Sequence, residues 1–241
     1  MNKMVSKIID FHCHVGEGDE GYDLPIEDLT KSMDKNNISS SVIFPFSDTH
    51  ENLVKKSLEL LTYKSKRFFP FLRFNPNKIT TNELDSLLNK GFCGVKLHPF
   101  AQNFNPNKDK FLWIFKKIAD EKLPLLVHSY NFDENSHPKN LFELAKKLPE
   151  LNIVVAHFCG NDLGYLFKAS KYKNLFVDIS INSRTLRIEM AAKKGVKQIF
   201  ASDAPFDSQR VPLVKIEESR ISDIEKENIL YNYASKLLKI K

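Results

Sequence analysis

No run in this 241-residue chain approaches the roughly 20 consecutive apolar residues of a membrane-spanning helix, so no segment reads as one. Cysteine is scarce: Cys13, Cys93 and Cys159 are an odd number at scattered positions, which excludes a disulfide framework and fits a reducing compartment. Met1–Lys7 lack the apolar stretch and small-residue cleavage site of a signal peptide, so the expected location is cytoplasmic. There is no arginine-rich arm behind the formal net charge of +6. The lysines are spread through helical stretches such as Lys116-Lys117, Lys146-Lys147 and Lys193-Lys194, a solvated surface rather than a nucleic-acid interface. Linkers, internal repeats and low-complexity tracts are also missing, and one domain over residues 1–241 is expected.

What is present is an alternation. Short apolar runs of strand length occur near residues 7–12, 40–46, 68–74, 92–98, 124–128, 152–157, 174–179 and 197–202. Amphipathic stretches separate them: 25–37, 51–64, 81–89, 109–121, 139–148, 162–171 and 184–194, with 222–238 closing the chain. Asp23 ahead of Pro25 and the pattern Ser222-Asp223-Ile224-Glu225 are helix-start signals. Strand and helix alternating eight times predict a parallel sheet, and eight strands with candidate ligands at five strand ends predict a closed (β/α)8 TIM barrel. Function is then expected at the C-terminal ends of the strands.

Histidine carries the chemistry. His12 and His14 are two apart at the end of the first run, so in a strand they share a face, with Cys13 turned away. His98, His128, His157 and Asp203 each close a later run and precede a polar loop. His12, His14, His128 and Asp203 together offer three nitrogens and one oxygen, enough for a mononuclear divalent centre with one position left for water; zinc is the expected ion. Parity places Lys96 on the face of His98. A buried lysine paired with a carboxylate is the plain reading of Lys96.

Asp10-Phe11-His12-Cys13-His14, Gly94-Val95-Lys96-Leu97-His98-Pro99, Val127-His128, Val155-Ala156-His157 and Ala201-Ser202-Asp203-Ala204-Pro205-Phe206 together resemble the amidohydrolase superfamily. The resemblance is to its amidohydrolase-related branch, which also contains aminocarboxymuconate-semialdehyde decarboxylase. It extends into the tail, Ser222-Asp223 to Ala234. It implies that His12, His14 and His128 ligate a metal, and that Asp203 binds the metal or takes a proton from the attacking water. His157 would then act on that water or, in a two-ion centre bridged by a carboxylated Lys96, ligate the second ion, with His98 beside it. Asp203 and His157 are the catalytic candidates.

The implied activity is hydrolysis of a C–N or C–O bond in a small molecule. Non-oxidative decarboxylation by the same ligands is the alternative, favoured if Arg73, Arg184 or Arg210 grips a substrate carboxylate. A TatD-like nuclease fits less well, because that family has glutamate where Lys96 stands, and a non-catalytic binding protein fits least. For each arginine a surface or structural role is the plainer reading. Gln102 and Tyr130 are candidate pocket residues. Cys13, Cys93 and Cys159 read as inert thiols, and His50 and His137 as surface residues. A small-molecule substrate is the expected partner and a homodimer is left open, with neither nucleic acid nor membrane involved.

Overall fold

A computed structural model describes residues 7–18 and 21–240; the N-terminal reading of Met1–Ser6 lies outside them. Eight parallel strands follow one another in chain order: β1 Ile9–His14, β2 Ser40–Phe44, β3 Phe68–Arg73, β4 Gly94–Leu97, β5 Leu125–Val127, β6 Ile153–Val155, β7 Leu175–Asp178 and β8 Gln198–Ile199. The ring closes between the last strand and the first. Phe11 N donates to Phe200 O at 3.0 Å, Asp203 N to His12 O at 2.9 Å and His14 N to Ala204 O at 2.8 Å. This is the (β/α)8 barrel that the alternation predicts. Among the described residues, no helix is long and apolar enough to cross a membrane.

Two apolar layers hold the barrel. Ile9, Phe11, Val42, Phe44, Phe71, Leu126, Val154 and Phe176 fill its interior, and Ala234 and Leu237 of the last helix, Tyr233–Leu237, pack against the same cluster. A larger cluster lies between strands and helices and takes in Leu29, Leu72, Val95, Phe115, Leu144 and Ile188. The register of β1 shifts between Asp10 and Cys13. Ile9 and Phe11 belong to the interior cluster, whereas Cys13 belongs to the outer one. The irregularity changes the phase of the alternation, so His12 and His14 take over the inward face at the rim, where bulges commonly re-aim side chains.

Three local features depart from expectation. A helix, Arg210–Glu217, lies where no amphipathic stretch was expected; Pro212 is tolerated there because it falls in the first helical turn. Pro25 lies just outside the helix Ile26–Lys35, and Asp23 does not cap it but accepts from Gly18 N at 3.0 Å. The closing helix is interrupted by a π-helical segment, Asn228–Asn232, between Asp223–Glu227 and Tyr233–Leu237. Its start is as predicted: Ser222 and Glu225 form both arms of a capping box.

Candidate metal centre and cavity

The inward turn of β1 places His12 and His14 against Asp203, which follows β8. His12 Nε2 lies 2.8 Å and His14 Nε2 3.3 Å from Asp203 Oδ1. All three residues are buried. His12 Nδ1 is held at 2.7 Å by Asp178 Oδ2, so in the neutral ring that a metal would need, the proton faces the carboxylate and the lone pair of Nε2 is turned toward Asp203. Two electron-rich atoms therefore meet at a buried point, and Asp203 Oδ1 makes no well-formed hydrogen bond there. A cation between them resolves that conflict. His12, His14 and Asp203 each offer one ligand atom within 4.8 Å of the others, so the donor set fits a divalent ion.

Lys96, on β4, puts its Nζ 3.0 Å from His12 Nε2 and is almost fully buried. Burial lowers its pKa to about 7, against the opposing pull of Asp203, and Arg73 adds to the lowering. Burial likewise takes His14 to about 3 and His157 to about 4, and drives His98 and His128 well below the ordinary histidine value. These four rings are neutral near pH 7 and carry lone pairs. For His12, burial and Lys96 oppose charge, but Asp203 and Asp178 outweigh them and its pKa rises. Burial disfavours an ionised Asp203, yet His12 and His157 hold its pKa well below the usual carboxylate range.

His128 is not among the atoms that converge on Asp203. Its Nδ1 lies 2.9 Å from His157 Nε2, and its ring stacks on His98 with centroids 3.7 Å apart. His157 Nδ1 is 2.9 Å from Ser180 Oγ and 3.9 Å from Asp203 Oδ2. The segment carrying His157 is unusual: His157, Phe158 and Cys159 all have left-handed backbone angles, φ 56°, 54° and 55°. Such angles cost about 1–3 kcal/mol each and persist where surrounding contacts fix them. The contacts are visible. His157 N donates to Asp178 Oδ1 at 2.8 Å, and Asn182 Nδ2 donates to His157 O at 3.3 Å. Gly160 completes the turn at φ 59°, where a Cβ would stand 2.7 Å from the backbone of Tyr130.

Above these groups opens a cavity of about 540 Å³. Lys96, His98, His128, His157 and Asp203 supply its polar lining; Tyr22, Phe46, Tyr130 and Phe206 supply aromatic walls. Phe206 meets His14 edge-on at 5.3 Å and lies 5.2 Å from Tyr22.

Lys96, His98 and Tyr130 thus sit where expected. The three arginines do not line the cavity. Arg73 ends β3 fully buried and donates to Pro45 O and Ser47 Oγ, both at 2.7 Å, bracing the loop after β2. Arg184 is exposed at the start of the helix Thr185–Lys193, and Arg210 is held by Glu217 at 2.8 Å. Gln102 lies beneath the site: its Oε1 accepts from His98 N at 2.7 Å and its amide donates to Phe74 O. His50 is not a surface residue, since its ring bridges Glu83 and the backbone N–H of Asn75. His137 is half-buried and caps the helix Pro138–Lys147. Burial raises the pKa of all three cysteine thiols.

Asp178 and Ser180 are the functional residues that motif reasoning missed. Asp178 closes the apolar run Leu175-Phe176-Val177, the same strand-end signature that singled out the histidines. A second group missed is Asp10, whose carboxylate accepts from Ser202 N, Ser202 Oγ and Gln209 Nε2 at 2.9, 2.6 and 2.9 Å and ties β1 to the loop bearing Asp203.

Comparison with solved structures gives the same fold at low identity. A 2,6-dihydroxybenzoate decarboxylase from Rhizobium superposes with a TM-score of 0.78 at 15% identity, covering 98% of this chain and 99% of that one. A dihydroxybenzoic acid decarboxylase from Polaromonas sp. JS666, with bound manganese and the inhibitor 2-nitroresorcinol, gives 0.76 at 14%, covering 98% and 97%. A probable 2-pyrone-4,6-dicarboxylic acid hydrolase from Acinetobacter baumannii gives 0.70 at 19%, covering 97% and 99%. No curated protein matches the sequence. The sequence profile of the amidohydrolase family matches residues 9–240, nearly the whole chain, and the protein belongs to that family.

Proposed function

We propose that this protein is a metal-dependent hydrolase that cleaves a C–N or C–O bond of a small molecule. The observation that carries the reading is the convergence of His12 Nε2, His14 Nε2 and Asp203 Oδ1 at the floor of a small, aromatic-walled cavity. His12, His14 and Asp203 would hold the ion, with His128 as the further ligand through its Nε2, its Nδ1 staying on His157. Zinc suits two or three imidazoles and a carboxylate; manganese, bound in the Polaromonas decarboxylase, is the rival. A divalent ion supplies a water acidic near pH 7 and polarises the bond under attack.

The residues do the rest. Asp203, held ionised chiefly by His12, accepts the proton of the attacking water and returns it to the leaving group. His157, kept neutral by burial and 3.9 Å from Asp203 Oδ2, is the second candidate for that proton transfer. Phe46, Tyr22 and Phe206 hold a flat substrate over the floor and exclude water.

Decarboxylation is the second reading. Lys96 Nζ lines the cavity and offers a cation to a carboxylate, and two of the neighbours described are decarboxylases. The arginine support expected for it is withdrawn, since none of the three faces the cavity. Incubating the metal-loaded protein with a panel of cyclic amides, lactones and aromatic acids, and following ring opening and carbon dioxide release separately, tests both. Ring opening without carbon dioxide supports hydrolysis; carbon dioxide release alone overturns it in favour of decarboxylation.

A further inference from the structure

The cavity histidines meet one another ring to ring, so the position of each proton matters. Asp178 is the one place in this group where it can be assigned without choice. Its carboxylate is fully buried, and its Oδ1 accepts from the backbone N–H groups of His157 at 2.8 Å and Ser180 at 3.1 Å, so that oxygen is an acceptor. Its Oδ1 lies 2.7 Å from Ser180 Oγ, which must therefore donate to it. The hydroxyl has a single proton, so toward His157 Nδ1, 2.9 Å away, Ser180 can only accept. His157 is then the Nδ1–H tautomer with its lone pair on Nε2. That lone pair faces His128 Nδ1 at 2.9 Å, so His128 carries its proton on Nδ1 as well.

We propose that Ser180 is a positioning residue that relays the charge of Asp178 through His157 to His128 and thereby fixes both rings as Nδ1–H tautomers. The consequence is that His128, a cavity-lining residue, keeps its Nε2 lone pair free for a ligand. His12 is fixed the same way by direct contact with Asp178, without Ser180. One carboxylate thus orients three imidazoles, two of them through one hydroxyl. Outer partners that fix a ligand's tautomer are worth about 10–100-fold in metal affinity. The tautomer assignment stands on hydrogen-bond geometry alone; its effect on affinity rests on the metal reading above.

The test is long-range proton–nitrogen correlation NMR on the full chain labelled with 15N-histidine, stripped of metal, at neutral pH, beside Mn2+ titration calorimetry. In the wild type, His157 and His128 are expected as Nδ1–H tautomers. In Ser180→Ala, both should shift toward Nε2–H while His12 keeps its Nδ1 proton, which also shows that the variant is folded. Mn2+ affinity of that variant should fall by about 10–100-fold. A wild-type His157 that is Nε2–H or doubly protonated overturns the proposal, even if the variant does not fold. So does a Ser180→Ala spectrum unchanged at both rings. If the wild-type tautomers are as expected but Mn2+ does not bind, the relay stands and the metal reading is what fails.

Discussion

Asp178 Oδ2 accepts from His12 Nδ1 at 2.7 Å, and this contact decides which nitrogen of His12 faces Asp203. A carboxylate behind a ligating imidazole raises its basicity and fixes its orientation. Asp178→Asn should therefore lower divalent-ion affinity by about 10–100-fold in the folded protein. Calorimetric titration with Zn2+ or Mn2+ measures it, and wild-type affinity in that variant would contradict the role.

Asp203 sits between the proposed ion and the proton path. Asp203→Asn keeps the shape and removes the charge and the basic oxygen, so turnover should fall by about 10²–10⁴-fold. Steady-state kinetics on whichever substrate the panel identifies gives the number, and a fall of less than threefold would assign the proton transfer elsewhere.

Burying neutral histidines has a pH signature. His14 and His157 are lowered from 6.5 to about 3 and about 4, and His98 and His128 lie well below 6.5. Between those values and 6.5 the unfolded chain binds more protons than the native one, so the stability these rings contribute is present above pH 6.5 and is lost as pH falls toward their folded values. His12, whose pKa is raised, contributes in the opposite sense, but it is one ring against four. Each depressed ring costs up to about 1.4 kcal/mol per pH unit in that window. Denaturant midpoints of the metal-free protein should drop steadily from pH 6.5 to pH 5; a flat profile would mean that the rings are solvated.

Phe206 is a half-exposed wall of the cavity rather than part of its floor. Phe206→Ala should raise KM several-fold and leave kcat near wild type, because it removes binding shared by ground and transition states. Loss of kcat at unchanged KM would instead place Phe206 in the chemistry.

Arg73 and Arg210 separate structural from surface roles. Arg73→Ala strands the acceptor Pro45 O, which costs about 1–3 kcal/mol when left buried without a partner, and frees the half-buried Ser47 Oγ. Arg210→Ala breaks only an exposed pair with Glu217 and should change stability by less than about 1 kcal/mol. Thermal unfolding of both variants checks the contrast, and a neutral Arg73→Ala would remove its bracing role.

Much of this was legible in the sequence because a parallel barrel strand is buried on both faces and ends where its apolar run ends. His12, His14, His98, His128, His157 and Asp203 all announce themselves at the close of such a run, and Lys96 by its parity with His98. The same rule applied to Leu175-Phe176-Val177-Asp178 would have found Asp178; an aspartate there also reads as ordinary loop chemistry, which hid it. Arg73 takes the structural role that was the plainer reading; its rival stayed open because sequence does not say whether a strand-end guanidinium turns to the cavity or to a neighbouring loop. The contact of His128 with His157, rather than with Asp203, depends on the left-handed turn after β6, and apart from Gly160 no residue there signals one. The helix at Arg210–Glu217 is absent from the amphipathic stretches read in the sequence, and it buries only Pro212, Leu213 and Ile216, too few to mark an apolar stripe.

The central claim is that His12, His14 and Asp203 hold a divalent ion. Elemental mass spectrometry of the full chain purified without chelator, beside His12→Ala, tests it most directly. About one ion per wild-type chain is expected from a single centre, with loss of that ion in a folded His12→Ala. Wild-type protein that carries none, and takes up none when Zn2+ or Mn2+ is added, would contradict the account.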